Sequence, residues 1–165
     1  MISILQQKYS RSDNFFSASH ILPGFSKCER LHGHDYVVKV TIDYCLLDSE
    51  HLIDFREVNT IIHSIIAKLD HKILLPGSSR KMQIQSTLRD KNWLVKIEDK
   101  EYSFPQQDVV ILKDINQTTT ENLTIYFHEQ MTHQMKELIS KCSEFRLKVT
   151  IAETTGNEVS YSDKL

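Results

Sequence analysis

Residues 28–44 read CERLHGHDYVVKVTIDY, and the second part of this stretch alternates apolar and polar side chains from Tyr36 to Tyr44. A period of two is the signature of a half-buried strand, so a strand is predicted from about His32 to Tyr44. Tyr36, Val38, Val40 and Ile42 then share one face, and His32 and His34 continue that face at its start. Upstream, FSASH (16–20) repeats the pattern with Phe16, Ala18 and His20 on one side and Ser17 and Ser19 on the other. Residues 14–20 therefore form a second strand, preceded by another over residues 2–9, with Ser12-Asp13-Asn14 as the turn between them.

Further along, Val58, Ile61, Ile62, Ile65, Ile66 and Leu69 recur at three- and four-residue steps and predict an amphipathic helix over Phe55–Leu69 with Asp54 as its N-cap. Thr119 or Thr120 starts a second helix running to about Lys141, with Glu121 in its first turn. Phe145, Leu147, Val149 and Ile151 restore the period of two, and Gly156-Asn157 leads into a last strand through Val159 and Tyr161. Residues 77–114, with strands expected at Trp93–Ile97 and Val109–Leu112, read as an extended hairpin insertion within a single domain spanning residues 1–165.

A chain of 165 residues, 40% hydrophobic, is long enough to bury one core without staples. A formal net charge of −2 with mixed signs gives no broad surface for nucleic acid or an anionic membrane, so any polyanion must be bound locally. No apolar stretch approaches the roughly 18 residues of a membrane span, and the N-terminal residues lack a signal-peptide core, which makes the cytoplasm the expected compartment. The three cysteines, Cys28, Cys45 and Cys142, read as thiols rather than a disulfide framework.

On a strand, His32 and His34 place both imidazoles on one face about 6.5–7 Å apart along the chain, within reach of one ion. His20 has the matching parity on the neighbouring strand. Three imidazoles without a fourth protein ligand describe a catalytic metal centre with an open position, and the sequence leaves open whether Cys28 closes it. Gly33 between the two histidines suits a close approach of backbone or ligand. His51, His63, His128 and His133 read as surface or hydrogen-bonded side chains.

Cys28 taken alone is a small buried hydrophobe, although Lys27 and Arg30 in the same loop favour a thiolate. Asp70-His71 pairs a carboxylate with an imidazole, an arrangement for proton transfer that needs a helix end or extended backbone, because consecutive helix residues face apart. Glu153 is a carboxylate on an otherwise apolar strand face and requires a partner: either solvent at a strand end or a ligand edge carrying paired N–H donors.

FSASH (16–20), CERLHGH (28–34), LIDF (52–55), LDHKIL (69–74), TTTEN (118–122) and AETTGN (152–157) occur in an order that resembles the 6-pyruvoyltetrahydropterin and 6-carboxytetrahydropterin synthases. The resemblance spans nearly the whole chain. It implies an α+β tunnelling fold, ββααββ, with an antiparallel four-stranded sheet carrying two helices on one face and subunits assembled as a homo-trimer or homo-hexamer. It also implies a zinc ion on His20, His32 and His34, proton transfer by Cys28, Asp70 and His71, and pterin anchoring by Glu153 with Thr119 and Glu121 lining the site. The implied substrate is 7,8-dihydroneopterin triphosphate. Three residues between Cys28 and His32 match the compact motif of the carboxy-forming members, whose product leads to 7-deazaguanine bases. A pyruvoyl product, side-chain cleavage to 6-hydroxymethyl-7,8-dihydropterin involving Glu29, and a non-catalytic pterin-binding module are the alternatives. Thr118-Thr119 replaces the family's usual Pro-Thr, and residues 77–114 exceed the length found in the shorter bacterial members.

Overall fold

The computed structural model describes residues 14–46, 53–87, 91–154 and 156–165. The strand expected over residues 2–9, with most of the turn after it, lies outside the described residues. Strand β1 (Phe15–His20) pairs antiparallel with β2 (His32–Leu46), Phe16 lying opposite Tyr36 and His20 opposite His32. The long β2 continues antiparallel along β8 (Cys142–Thr154), which pairs with β9 (Asn157–Lys164).

These four antiparallel strands are the centre and one side of a larger sheet. Strand β3 (Lys72–Pro76) runs parallel to β1, and β7 (Val109–Leu112) runs parallel to β3, giving six strands in the order β7-β3-β1-β2-β8-β9. The expected four-stranded antiparallel ββααββ sheet is thus extended by two parallel strands. Lys72–Pro76 escapes a period-two reading because it is buried on both sides: Leu74 faces one apolar cluster and Leu75 another.

Helix α1 (Phe55–Leu69) has the predicted ends, and Asp54 caps it by accepting from the amide of Arg56 at 2.8 Å. Helix α2 (Thr120–Gln134) is capped by Thr119 and stops at Met135, and a short α3 (Lys136–Ile139) follows, so the single helix expected to Lys141 is two. Val58, Ile62 and Ile65 of α1 and Leu123, Phe127 and Met131 of α2 pack with Tyr36, Val38 and Val40 of β2 and Leu147, Val149 and Ile151 of β8 in one core. At roughly 1.5–3 kcal/mol for each fully buried large apolar side chain, this helix-on-sheet layer is the main favourable contribution to folding. No helix among the described residues is long and apolar enough to cross a membrane.

The segment expected as a hairpin insertion is built differently. Strands β4 (Gln83–Thr87), β5 (Asn92–Ile97) and β6 (Lys100–Pro105) form a separate three-stranded antiparallel meander, while β7 belongs to the main sheet. The meander buries Met82, Val95, Ile97 and Phe104 against Ile21 and Leu75, and Ile73, Val109 and Ile111 complete that second cluster. Its apolar face therefore covers β3 and β7 on the side away from α1 and α2.

Candidate metal centre and the hollows beside it

The register of β1 and β2 builds the centre. His20 and His32 are direct cross-strand partners, and His34 follows two residues along β2 on the same face. Glu153 enters from β8, and ligand atoms of His20, His32, His34 and Glu153 all lie within 4.8 Å of one another. His20 is buried and the other three are half-buried. Tyr36, fully buried, underlies them, its ring edge-on to His34 at 5.6 Å between centroids. Burial raises its hydroxyl pKa, and the nearby Glu153 charge adds to the rise.

Gly33 lets the two strands meet. A Cβ there would stand 2.8 Å from the Ala18 carbonyl oxygen and 3.0 Å from Ser19 Oγ, and real Cβ atoms do not approach a backbone oxygen so closely.

Hydrogen bonds fix the imidazole tautomers. Nδ1 of His20 lies 2.8 Å from the Thr118 carbonyl, and Nδ1 of His32 lies 2.7 Å from the Arg30 carbonyl. A carbonyl only accepts, so both Nδ1 atoms carry the proton and both Nε2 atoms present lone pairs. Those two Nε2 atoms face each other at 3.1 Å. Two lone pairs at that distance repel unless a cation lies between them, and donors on a tetrahedral ion at about 2.0–2.1 Å stand roughly 3.3 Å apart. Desolvation lowers the His20 pKa to about 4, the Thr118 bond opposing it, so this imidazole is neutral and able to ligate at neutral pH. Nε2 of His34 is buried without hydrogen-bond geometry to any partner, although Glu153 Oε1 is 2.6 Å away. The donor set and the fixed tautomers fit a divalent metal ion.

Glu153 has a second tether. Its Oε2 accepts from the Thr120 hydroxyl at 2.8 Å. It lines a cavity of about 470 Å³ with Leu22, Phe25, Thr119, Thr120 and Glu121, bringing together the three residues expected at a ligand. Thr119 also caps α2 through a bond from the Asn122 amide, so it both sets the helix start and faces the cavity.

Asp70 and His71 fall where their geometry requires, at the end of α1. Asp70 is the extended C-cap and His71 takes a left-handed φ of 56°. Asp70 Oδ2 lies 2.9 Å from His71 Nδ1, and Oδ1 accepts from the Ser17 amide at 2.9 Å. That amide is the leading cause of a carboxyl pKa held below its ordinary value. His71 opens onto a second cavity of about 510 Å³, lined also by Ser17, Ser19, Gly33, His34 and Asp35. The centre therefore sits between two hollows, with Glu153 facing one and His34 the other.

Cys28 lines neither hollow among the described residues. It lies half-buried in a 3-10 turn, Ser26–Glu29, where its amide donates to Phe25 and its carbonyl accepts from Leu22 at 2.9 Å. Sequence reasoning missed the Thr120 tether and the Thr118 and Arg30 carbonyls. The Thr118–Thr120 run was a signal for the first, whereas backbone acceptors leave no mark in side-chain identity.

The α+β sheet thus brings three histidines and one carboxylate together at strand ends as a group that could hold a metal ion, with a cavity on either side. The sequence profile described as 6-pyruvoyl tetrahydropterin synthase matches residues 9–164. A Methanocaldococcus jannaschii protein provisionally named 6-carboxy-5,6,7,8-tetrahydropterin synthase is 38% identical over 147 residues, 88% of each chain. A Pyrococcus horikoshii protein with the same provisional name is 30% identical, covering 76% of this chain and 74% of its own. Among solved structures, a Plasmodium vivax 6-pyruvoyltetrahydropterin synthase with a catalytic glutamate replaced by cysteine superposes with a TM-score of 0.83 at 25% identity, over 96% of this chain and 97% of that one. The chain belongs to the 6-pyruvoyl tetrahydropterin synthase family.

Proposed function

We propose that this protein converts 7,8-dihydroneopterin triphosphate to 6-carboxy-5,6,7,8-tetrahydropterin on the route to 7-deazaguanine bases, with zinc held by His20, His32 and His34. The observation that carries the reading is the meeting of three histidines with a tethered Glu153 that lines a ligand-sized cavity. The names of the archaeal relatives and the three-residue spacing between Cys28 and His32 favour the carboxy product.

When bound, zinc supplies Lewis acidity toward the oxygens of the substrate side chain. The protein's own groups do the rest. Glu153, held by Thr120, accepts the paired N–H donors of the pterin's guanidine-like edge, and Thr119 and Glu121 border that ring. Cys28 and His71 exchange protons with the side-chain carbons, and Asp70 orients His71 and stabilises its charged form. Homo-trimeric or homo-hexameric assembly brings Asp70 and His71 of one subunit to substrate held beside Cys28 of another. Mixing inactive Cys28→Ala and His71→Ala proteins tests this: subunit exchange restores turnover if the site is shared and leaves both dead if it is not.

A second reading, side-chain cleavage to 6-hydroxymethyl-7,8-dihydropterin, is favoured by Glu29. This carboxylate follows Cys28 in the same turn and is held by the Gly24 amide at 3.1 Å. Incubating zinc-loaded protein with 7,8-dihydroneopterin triphosphate and weighing the pterin product by mass spectrometry decides between them. A 6-carboxy product with acetaldehyde supports the first reading, a 6-hydroxymethyl product the second, and a 6-pyruvoyl product replaces both.

A further inference from the structure

The connection between β7 and α2, residues 113–119, carries the Thr118 carbonyl that meets His20 Nδ1 at 2.8 Å. Thr118 does not anchor itself there. It is fully buried, and its hydroxyl has no hydrogen-bond partner among the described residues. Its neighbours on both sides are held instead, and one residue holds them. The side-chain amide of Asn122 donates to the Gln117 carbonyl at 2.7 Å and to Asn116 Oδ1 at 3.1 Å. The Asn122 backbone N–H donates to Thr119 Oγ1, and the Thr119 carbonyl accepts from the Leu123 amide at 2.9 Å.

An asparagine Nδ2 has two hydrogens, so both are committed to this connection. The Gln117 carbonyl fixes the peptide plane that enters Thr118, and the helix cap fixes Thr119 at the far end of the plane that leaves it. Peptide planes are rigid, so holding both sides sets φ and ψ of Thr118 and with them the direction of its carbonyl. Asn122 itself is half-buried and lines an outer hollow of about 380 Å³ with Asn116, Ile125 and Tyr126. It belongs neither to the histidine group nor to the two cavities beside it.

We infer that Asn122 is a positioning residue for the metal centre: through Gln117 and Thr119 it aims the Thr118 carbonyl at His20 Nδ1, which keeps the proton there and turns Nε2 toward His32. This rests on the metal reading above and adds a residue that acts on the centre without touching it. A misdirected carbonyl frees His20 to carry its proton on Nε2, and that form has no lone pair to offer an ion from this nitrogen. Hydrogen-bond partners of a ligating histidine are worth about 10- to 100-fold in metal affinity. Asn122 acts one step further out, which places its effect at the low end of that range.

Asn122→Asp keeps the shape of the side chain but sets an acceptor against the Gln117 carbonyl, and it retains the backbone N–H that meets Thr119. A carboxylate in the first turn of a helix is itself favourable, so the substitution does not undo α2. Asn122→Ala, which deletes the amide outright, is the second variant. Thr124→Val is the comparison: it removes the buried bond from Thr124 Oγ1 to the Thr120 carbonyl, 2.7 Å, in the same helix and leaves the connection untouched. Zinc affinity of the full-length proteins is read by chelator competition, and the His20 tautomer by long-range proton–nitrogen NMR correlation on the metal-free proteins. Both Asn122 variants are expected to bind zinc about tenfold more weakly and to shift His20 from the Nδ1–H toward the Nε2–H form, with Thr124→Val matching wild type in both. Wild-type affinity and tautomer in the Asn122 variants overturn the inference and leave the metal reading standing. Equal losses in Thr124→Val also overturn it, because the effect is then a general loosening of α2. A shifted tautomer in the Asn122 variants, together with a wild type that takes up no zinc, keeps the positioning role and removes the metal reading.

Discussion

Replacing Gly33 with alanine tests whether the centre depends on the close approach of β1 and β2. The new Cβ would meet the Ala18 carbonyl oxygen at 2.8 Å, a backbone atom that cannot swing away as a side chain would, and Ser19 Oγ at 3.0 Å. Relief requires the strands to part by several tenths of an ångström at the pair Ser19 and Gly33, which adjoins the pair His20 and His32. Overpacking of this kind costs about 1–3 kcal/mol, against a gain of roughly 0.5–1 kcal/mol from replacing glycine in a strand, so a net loss of about 1–2 kcal/mol is expected. That loss lowers the urea midpoint by roughly 0.5–1 M. The larger effect falls on the metal, because ligand distances tolerate only about 0.2 Å and the parting acts directly on the 3.1 Å separation of the two Nε2 atoms. Zinc affinity, measured by competition with a chromophoric chelator, should fall at least tenfold in Gly33→Ala, an estimate of order about 1.4 kcal/mol. A variant that is as stable as wild type and binds zinc equally well would refute the argument.

Cys28→Ala should abolish turnover while zinc content, measured by elemental analysis, stays at the wild-type level; unchanged turnover would remove the thiol from the mechanism. Thr120→Val keeps the shape of the side chain but deletes the donor to Glu153 Oε2. It should raise KM for the pterin roughly tenfold, with a stability loss of about 1 kcal/mol, as read from steady-state kinetics and urea unfolding. Asp70→Asn preserves an acceptor for the Ser17 amide but removes the charge beside His71; kcat should fall about 100-fold and the pH profile shift, with little change in Tm. His128 is buried, and desolvation lowers its pKa from the ordinary 6.5, partly offset by a hydrogen bond with the Leu147 backbone. The unfolded chain therefore takes up this proton first, so stability is retained above about pH 6.5 and lost as pH falls through the lower folded value. Urea unfolding from pH 7.5 to 5 should show that slope in wild type and a shallower one in His128→Gln.

Period and parity made much of the architecture readable. Phe16, Ala18 and His20, then His32, His34 and Tyr36, share faces because a strand alternates, and the helix stripe from Val58 to Leu69 buries the side its spacing indicates. What escaped is what lacks alternation or depends on distant chain segments. Lys72–Pro76 is covered on both faces and carries no polar side to mark it as a strand. Gln83–Thr87 and Lys100–Pro105 are exposed meander strands with mixed polarity, so their pairing with Asn92–Ile97 follows from contacts the local pattern does not encode. At the site, three histidines could be grouped from spacing, but the Arg30 and Thr118 carbonyls that orient two of them are backbone acceptors, which side-chain identity does not mark.

The distribution of the site over the fold explains why so few side chains suffice to define it. His20 and His32 are set opposite each other by the ladder, and their outer nitrogens are fixed by carbonyls at two separate chain positions, Arg30 and Thr118. Thr118 stands two residues before α2, and Thr120 in the first turn of that helix holds Glu153. The start of α2 therefore orients both the His20 imidazole, through a backbone carbonyl, and the cavity carboxylate Glu153, through a hydroxyl. A displacement of that helix start would misalign the histidine centre and Glu153 together. Loss of the Thr119 cap is consequently expected to weaken zinc and pterin binding in parallel, although Thr119 supplies no hydrogen bond to either group. Thr119→Ala measured for both affinities distinguishes this coupling from a purely local contact: a drop in pterin affinity alone would mean that Thr119 acts only as a cavity wall.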